Sequence, residues 1–356
     1  MPKKREMKPK KEKKPRITGL EFVKQQMEKG LMTKPHLSEP ENAMCRNHVQ
    51  QFYAIQEVRK AMTNNIAMIE RDYKKEYPKF STKPQEAIVV EVEKLEAKIL
   101  EELTAYTSTL RIYGWLHQIE GIGPIISAGL ISGFQDPAKF MNPSKMTKFG
   151  GLAPVDWCSE CNHRYIEPKF KQSWARAEAE RIEKRKKKTK KDIKKKTEAI
   201  LKLLCDCERP LIIQVAEKKV KGLPIHYSPF LKTLLTYKVG FLGFVMHKGF
   251  YRNYYDKFRA EEDRKHPDMS DGRRFARARR KTAKLFLQHF WNAWRRANGL
   301  SIVTPYVMIT GTHNYIKPPH EEIIQFLEGD WKKAHQWKKK PEQQRIPPHK
   351  CKSKVV

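Results

Sequence analysis

The chain has 356 residues, of which 73 are Lys or Arg and 40 are Asp or Glu, so its formal net charge is +33. A hydrophobic fraction of 39% is enough for a folded core, while no segment of about 20 residues is free of charged side chains. This composition excludes a wholly disordered chain and argues against a membrane or secreted protein. The large positive charge indicates a polyanionic partner, because self-repulsion opposes compaction unless a counter-charge is bound.

The N-terminal segment begins with a basic arm and continues into a helix. Residues 1–17 consist mostly of Lys, Arg, Glu and Pro, which predicts a disordered, charged arm. The spacing of Thr18 and Glu21 matches a capping box, in which the two side chains satisfy free backbone N–H groups at a helix start. We therefore expect a first helix to begin at Thr18 and to end near Gly30.

Two longer periodic segments follow this helix. The first begins at Ser38 and keeps apolar residues three or four positions apart as far as Tyr73, where residues 79–84 interrupt the pattern. The second has the clearest apolar periodicity in the chain, carried by Ile88, Val92, Leu95, Ile99, Leu103, Tyr106 and Leu110. Two amphipathic segments with a Pro-containing break predict an antiparallel helical hairpin or coiled coil within residues 18–112. Its free apolar edge predicts a homo-oligomer.

A short glycine motif separates the next two predicted helices. Gly121-Ile122-Gly123 precedes Pro124, and a glycine turn before a helix-initiating Pro is typical of a helix–hairpin–helix junction. Such a turn directs backbone N–H groups outward at a helix N-terminus, where a phosphate can bind. We expect both glycines to allow positive φ and close approach of DNA, and Ile122 to anchor the turn in the core. Three nearby cations extend this DNA-binding candidate: Lys139, Lys145 and Lys148. The alternative interpretation of the glycine motif is a tight turn in an ordinary helical bundle.

Four of the six cysteines form two close pairs, one CxxC and one CxC. Four thiolates suffice for a tetrahedral zinc ion if the basic segment between the pairs folds back as a hairpin. The candidate ligands are Cys158, Cys161, Cys205 and Cys207. His163 or His226 could replace one of them. Free thiols without a metal and redox chemistry are the alternative interpretations.

The remaining segments are helical or polar by pattern. Eleven of the sixteen residues in 181–196 are Lys or Arg, which predicts either an exposed helix that is ordered by a phosphate backbone or a solvated linker. Aromatic residues at helical spacing in 222–262 are expected to lie in the core. A strongly amphipathic helix is predicted over 273–298. The tail, residues 301–356, is predicted to be poorly ordered except for a short helix at 321–327.

Three runs together resemble a known family. Residues 119–131 read IEGIGPIISAGLI, residues 136–140 read DPAKF, and residues 148–154 read KFGGLAP. These runs are similar to the C-terminal helical domain of the Piv/MooV insertion-sequence transposases, the IS-one-ten group, which includes the bridge-RNA-guided recombinases. The resemblance is specific from residue 115 to residue 155 and extends loosely over roughly half of the chain.

The resemblance implies a helix–hairpin–helix transposase domain and a serine nucleophile a few residues after the GL-P run. By position this serine is Ser159, which would need deprotonation or activation by a metal such as Mg²⁺ to attack a phosphodiester. The family also carries an N-terminal RuvC-like nuclease domain with four acidic residues. Residues 1–115 lack a strand-rich pattern, so we expect that domain to be missing or to lie on another chain. Since Ser159 lies between Cys158 and Cys161, a loop role within a zinc knuckle is the competing interpretation.

The patterns together predict a mainly α-helical protein: an antiparallel helical hairpin followed by a helix–hairpin–helix domain with a Lys-rich insertion. The predicted segments are a disordered basic arm (1–17), a helical hairpin or coiled coil (18–112), a helix–hairpin–helix transposase-like domain (113–168), a basic helical insertion (169–221), the helical C-terminal part of that domain (222–300) and a poorly ordered basic tail (301–356).

The leading functional hypothesis is a transposase-family DNA-binding protein that acts in DNA transposition or recombination. Double-stranded DNA is the expected partner, a structured guide RNA is a further candidate, and the expected location is the cytoplasm, at the nucleoid, as part of a prokaryotic mobile element. One alternative is a non-catalytic protein, derived from a transposase, that organises DNA or binds RNA. Another is an assembly protein that works through its coiled coil, which the charge disfavours.

Overall fold

The computed structural model describes residues 18–73, 76–77, 81–184, 190–217, 219–303 and 315–335. Within these ranges the chain is mainly α-helical and has one two-stranded sheet, so the predicted fold class is confirmed. The predicted basic arm, residues 1–17, lies outside the described residues. None of the described helices combines the length and the apolar character that a membrane span requires.

The described elements follow each other in a simple order. They are α1 (Gly19–Glu28), α2 (Glu39–Tyr73), α3 (Lys83–Ser108), α4 (Arg111–Leu116), α5 (Pro124–Phe134), a 3₁₀ turn (Pro137–Lys139), α6 (Pro143–Phe149), β1 (Pro154–Cys158), α7 (Pro168–Lys184), α8 (Lys190–Leu201), β2 (Ile212–Ala216), α9 (Pro229–Thr233), a π-helix (Leu234–Gly243), α10 (Phe250–Lys265), α11 (Asp271–Ala297) and α12 (Glu321–Ala334).

The capping box predicted at the first helix is present. The Thr18 hydroxyl accepts a hydrogen bond from the backbone N–H of Glu21 at 3.3 Å, and the Glu21 carboxylate accepts one from the backbone N–H of Thr18 at 3.0 Å. Two of the four N–H groups that every helix leaves unpaired at its start are thus satisfied. The sequence therefore predicted the start of α1 correctly.

The hairpin of α2 and α3 is anchored in the core only at one end. Its buried apolar side chains, which pack against α5, are Cys45, Val49 and Phe52 on α2 and Ile99 and Leu103 on α3. The far half is joined by an ion pair between Arg59 and Glu96 at 2.8 Å. That half leaves large apolar side chains exposed, among them Val58, Met68, Ile88, Val90 and Leu95. The hairpin is confirmed, and assembly through its apolar surface stays a prediction.

Helix α11 lies at the centre of the hydrophobic core. Its C-terminal half buries Phe286, Phe290, Trp291 and Trp294 almost completely, and the helix packs against α4, α6, α10, α12 and the π-helix. The Trp291 indole donates to the Phe140 carbonyl at 2.7 Å, so even its polar atom is satisfied. The strongly amphipathic helix predicted over 273–298 is therefore confirmed.

The tail differs from the prediction within residues 315–335. Helix α12 extends to Ala334 and buries Ile323, Ile324 and Leu327 against the core. The buried Arg111 guanidinium holds it, donating to the Ala297 carbonyl at 2.8 Å and the Leu327 carbonyl at 2.6 Å and pairing with Asp330 at 2.9 Å. Local sequence could not reveal this, because the partners lie some 200 positions away. Residues 304–314 and 336–356 of the predicted tail lie outside the described residues.

A buried histidine also ties this tail to the core. The Nε2 of His289 donates to the Ile316 carbonyl at 2.9 Å, and its Nδ1 accepts from the Tyr251 hydroxyl at 3.0 Å. Burial lowers the pKa of His289 to about 4, so the ring is neutral at pH 7. The neutral ring has one donor and one acceptor nitrogen, which is what these two partners require.

The aromatic segment predicted in 222–262 is helical but not uniformly so. A ten-residue π-helix lies between α9 and α10, which the apolar spacing did not predict. Phe244 and Tyr251 stack in the core with ring centroids 4.4 Å apart, as expected, while Tyr237 remains 46% exposed. The wider turns of the π-helix end at Gly243, which lies directly against the glycine turn at Gly121.

The basic segment 181–196 belongs to two helices instead of the single helix predicted. Ala175 and Ala179 of α7 and Ile200 of α8 are fully buried and form a small core of their own. Small residues four positions apart give α7 an apolar face, and α8 covers it. Residues 185–189 lie outside the described residues. The pairing of α7 with α8 supplies the fold-back that the four-cysteine hypothesis requires.

Candidate nucleic-acid surface and metal centre

Gly121 is required by the packing of the protein itself. Its φ is +82°, a conformation that costs L side chains about 1–2 kcal/mol. A Cβ at this position would lie 2.0 Å from the carbonyl oxygen of Gly243. The sequence predicts that a nucleic-acid backbone approaches Gly121 closely. In the structure, Gly243 at the end of the π-helix occupies that position instead.

Gly123 departs from the prediction that both glycines need positive φ. Its φ is −87° with ψ 178°, and a Cβ there would meet no atom within 4 Å. Neither backbone strain nor internal packing requires glycine at this exposed position. Open space beside the turn is nevertheless compatible with an external group that approaches the backbone there.

Ile122 and Pro124 fix the turn as predicted. Ile122 is 5% exposed and belongs to the main hydrophobic core. Pro124 is the first residue of α5, and Gly123 at the N-cap offers no side chain to the first turn. The N–H groups at this helix start are thus left to water or to a ligand. An acidic residue, Glu120, directly precedes the turn, and its side chain lies against Gly249.

The structure separates the three predicted lysines from the glycine turn. Lys139, Lys145 and Lys148 are exposed and lie on the 3₁₀ turn and α6, beyond the C-terminus of α5. Aromatic contacts join Phe140 and Phe149 to Phe134 at that end, with ring centroids 5.6 and 6.1 Å away. An eleven-residue helix is about 16 Å long at 1.5 Å per residue. The lysines thus follow the opposite end of α5 from the turn and form a second basic group, the α6 lysine group (Lys139, Lys145 and Lys148), whose role in DNA binding stays a prediction.

The four predicted cysteines come together in space. The Sγ atoms of Cys158, Cys161, Cys205 and Cys207 all lie within 4.8 Å of one another, and those of Cys158 and Cys207 are 3.9 Å apart. Tetrahedral zinc with Zn–S bonds of about 2.3 Å places its sulfurs about 3.8 Å apart. All four thiols are free of disulfides. The cluster can therefore hold a metal ion, and it fits a four-thiolate site.

Backbone hydrogen bonds of the sheet and its loops position the cysteines. Strand β1 ends at Cys158 and pairs antiparallel with β2. The N–H of Cys158 donates to the His163 carbonyl at 2.9 Å across a loop in which Asn162 has a φ of +54°. The N–H of Cys205 donates to the Arg164 carbonyl at 2.9 Å. The two strands and the α7–α8 hairpin thus bring both cysteine pairs to one point.

The thiols influence one another's protonation. Hydrogen bonds from the backbone N–H groups of Cys161 and Glu160 lower the pKa of Cys158 to about 7. The neighbouring Cys161 and Cys205 sulfurs raise the pKa of Cys207 to about 12. Burial raises the pKa of Cys205. The mutual repulsion of four thiolates at this spacing opposes their ionisation, so all four can ionise together only when they bind one cation.

Ser159 lies in the exposed loop between the first two cysteines. Its backbone N–H and its hydroxyl both donate to the Leu211 carbonyl, at 2.9 and 3.2 Å. Its side chain thus holds the loop to the residue before β2, which the zinc-knuckle interpretation predicts. Among the described residues, the four cysteines are the only group of three or more metal-ligating side chains placed to share one ion. The role of Ser159 as a nucleophile stays a prediction.

A buried polar network beside the cysteines was missed by the sequence patterns. His226 contacts Glu178 through Nε2 at 2.6 Å and Glu217 through Nδ1 at 3.1 Å, and Arg164 pairs with Glu217 at 2.7 Å. The ring of Trp174 lies under the Arg164 guanidinium at 5.0 Å. His226 is therefore engaged by carboxylates instead of replacing a cysteine ligand. The carboxylates are 39 positions apart in sequence, so no local signal pairs them.

The comparisons with known proteins bear on the segment that contains the glycine turn. Residues 114–160 match the model of the Transposase IS116/IS110/IS902 family. Over these residues the chain is similar to transposases of the IS110 type. The matched segment holds the glycine turn, α5, the α6 lysine group and Ser159. Of the four clustered cysteines it includes only Cys158. No curated protein and no solved structure matches the chain.

Proposed function

We propose that the protein binds double-stranded DNA and acts in DNA transposition or recombination. The observation that carries this proposal is the match of residues 114–160 to an insertion-sequence transposase family. The net charge of +33 supports it, because phosphate contacts dominate the affinity of proteins for DNA. Such a protein would act in the cytoplasm, on the DNA of a prokaryotic mobile element.

Two sets of phosphate-binding donors, one at each end of α5, can contact the same DNA duplex. Helix α5 holds the open N–H groups after Gly123 at one end and the α6 lysine group at the other. Both strands of B-DNA together carry one phosphate per 1.7 Å of axis, so the helix length of about 16 Å spans roughly nine phosphates. Residues 127–134 of α5 are buried, so a duplex would contact only the two ends of the helix, with backbone N–H groups at one end and ammonium groups at the other. Such contacts position DNA without reading its bases.

We also propose that the four-cysteine cluster holds a structural zinc ion. Four thiolate ligands close a tetrahedral site and leave no position for substrate. The ion would connect the two ends of the insertion that carries α7 and α8, and would thereby hold that basic hairpin in a fixed position.

Two further partners are proposed. The exposed apolar side chains of the α2–α3 hairpin fit a second copy of the chain, and a structured RNA is a further candidate ligand for the basic surfaces.

Removal of the α6 lysine group tests the DNA-binding proposal. Replacing Lys139, Lys145 and Lys148 with Gln is expected to weaken binding to a 20-base-pair duplex at least tenfold in 0.15 M salt. The slope of log affinity against log salt should shrink by roughly 2.7, since each phosphate contact contributes about 0.9. Fluorescence anisotropy over a salt series measures both quantities. The lysines are exposed, so folding should be unaffected.

A charge-matched control separates specific contacts from net charge. Lys60, Lys94 and Lys332 are exposed and form ion pairs within their own helices, so their triple Gln variant loses the same three charges elsewhere. It should keep most of the affinity and of the salt slope. Equal loss in both variants would show that only net charge matters, and absence of any duplex binding by the unaltered protein would refute the proposed function.

Substitution of Ser159 tests whether the protein is itself a recombinase. If its hydroxyl is the nucleophile, Ser159→Ala should abolish strand exchange and leave duplex affinity unchanged, because an exposed hydroxyl contributes little to electrostatic binding. An assay of DNA joining with Mg²⁺ and terminal element sequences supplies the measurement. Exchange at the unaltered rate would remove Ser159 from the mechanism and favour a non-catalytic DNA-binding protein derived from a transposase.

A further inference from the structure

Strand β2 and the residues before it form an apolar, uncharged segment on the surface. Residues 210–216 read PLIIQVA and contain no charged side chain. Leu211, Ile212 and Ile213 follow one another in the chain, and they are 61%, 44% and 41% exposed. Side chains alternate between the two faces of a sheet along a strand, so both faces of β2 present apolar surface. Contiguous exposed apolar side chains of this kind mark a contact surface.

Among the described residues, β2 is the outer strand of its sheet. One side of β2 pairs with β1. The far side of β1 is covered, because the N–H of Cys158 donates to the His163 carbonyl and the N–H of Tyr165 donates to the Asp156 carbonyl. Within the described part of the chain, no group hydrogen-bonds to the outer side of β2. The sheet therefore ends at β2 with an open edge.

The hydrogen-bonding direction of each residue in β2 follows from one contact. The N–H of Ser159 donates to the Leu211 carbonyl at 2.9 Å, so Leu211 directs its carbonyl toward β1. Directions alternate along an antiparallel strand. Cys158, the partner of Ile212, directs its N–H away from β2, as this alternation requires. The residues whose N–H and C=O groups face the open edge are therefore Ile212, Gln214 and Ala216.

The open edge of β2 lacks the features that protect edge strands. Natural edge strands avoid pairing with other chains through a Lys, a Pro or a bulge within the strand. The strand Ile212–Ala216 contains neither a charge nor a Pro, and each of its residues opposes one residue of β1 without a bulge. Its β-branched residues favour the extended conformation. Such an edge favours the addition of another strand.

We propose that β2 pairs antiparallel with β2 of a second copy of the chain, so that the two sheets join into one four-stranded sheet across a two-fold axis at Gln214. Gln214 then faces its own counterpart, and Ile212 faces Ala216 of the second copy. Each such pair exchanges two N–H···O bonds, so the three pairs supply about six hydrogen bonds. Ile213 lies beside Val215 of the second copy, which is a favourable cross-strand contact.

The properties of the edge favour a second copy over other occupants. The second copy offers the same open donors and acceptors at the same spacing, so each group at this edge finds a partner. A nucleic acid would require cations within the segment, and residues 210–216 have none. A two-fold contact also closes on itself. The pairing does not rest on the proposed function, because it requires no DNA, and it lies outside the apolar surface of the α2–α3 hairpin.

Sedimentation equilibrium in about 0.5 M salt without nucleic acid tests the pairing. Gln214→Lys places two ammonium groups opposite each other at the two-fold axis, where like charges are destabilising. The average molecular mass should fall to half that of the unaltered protein, whether or not the α2–α3 hairpins also associate. Gln214 is exposed, so the Tm should be unchanged. Gln214→Thr, which leaves the strand uncharged, should keep the full mass.

The salt dependence of assembly provides a further readout. Two copies with a net charge of +33 each repel one another, and salt screens this repulsion. Association of the unaltered protein should therefore strengthen as salt is raised, whereas binding to DNA weakens under the same conditions. The two kinds of interaction can thus succeed or fail independently.

Cross-linking tests the position of the two-fold axis. Gln214→Cys should give a disulfide-linked dimer under mild oxidation, because Cα atoms of a hydrogen-bonded antiparallel pair lie about 5.5 Å apart, which a disulfide can span. Gln172→Cys adds a cysteine at an exposed position of α7 and should give only the background of the native cysteines. A monomeric unaltered protein at micromolar concentration, an unchanged mass for Gln214→Lys, or equal cross-linking of the two cysteine variants would refute the pairing.

Discussion

Replacing Cys158 with Ser is expected to abolish binding of the proposed zinc ion and to unfold the region between β1 and β2 while the core around α11 stays folded. Structural zinc sites couple on the order of 10 kcal/mol of binding free energy to folding. Apart from the polar network of Arg164, Glu217 and His226, the region has only a small apolar core of its own. Its separate core consists of Ala175, Ala179 and Ile200, and Ile212 and Ile213 of β2 are 44% and 41% exposed.

Elemental analysis and limited proteolysis measure the two effects. Protein purified without chelator should contain about one zinc per chain, the count for a closed four-thiolate site. The Cys158→Ser variant should contain almost none and should be cleaved rapidly within the insertion. Chelation of the unaltered protein should reproduce that cleavage. Ser159→Ala is the matched control, because Ser159 adjoins the cluster without supplying a sulfur, and it should retain the metal. Less than half an equivalent in the unaltered protein would exclude the zinc site.

Replacing Gly121 with Ala should lower the free energy of unfolding by about 4 kcal/mol, which corresponds to a fall in Tm of roughly 5 °C for a chain of 356 residues, at about 2.1 cal/mol/K of unfolding entropy per residue. Two causes add. A φ of +82° is unfavourable for Ala, and its Cβ would lie 2.0 Å from the Gly243 carbonyl oxygen. Neither backbone segment can move easily, because Ile122 and the π-helix are both buried in the core. Thermal denaturation followed by circular dichroism gives the result.

Gly123 provides a matched comparison for the same turn. Ala there meets no atom within 4 Å at a φ of −87°, so its cost should not exceed about 1 kcal/mol, the ordinary difference between residues at an N-cap. If a phosphate approaches the N–H groups of α5, the added methyl should reduce duplex affinity severalfold in a folded protein. Normal affinity of Gly123→Ala would show that phosphate binds elsewhere. Equal Tm for the Gly121 and Gly123 variants would contradict the packing argument.

Local patterns predicted those features that depend on neighbouring residues. The capping box at Thr18, the break before α3 and the burial of Ile122 all follow from backbone chemistry or apolar spacing within one or two turns. The four cysteines were also predictable, since a metal site requires close pairs of thiolates and the sequence contains two. The strands that position them were not predicted, because each has five residues and gains its pairing from a partner more than fifty positions away.

The sequence by itself determined the helical class, the large surplus of positive charge, the cysteine pairs and the runs that resemble a transposase, since these are properties of composition and local spacing. Only the tertiary structure decided that Gly121 packs against Gly243, that the α6 lysine group lies at the far end of α5, and that α12 docks on Arg111. It also decided that Arg274, Arg277 and Lys281 of α11 pair with carboxylates of α10. Each of these outcomes depends on distances between elements remote in the chain, and neither residue type nor periodicity determines such distances.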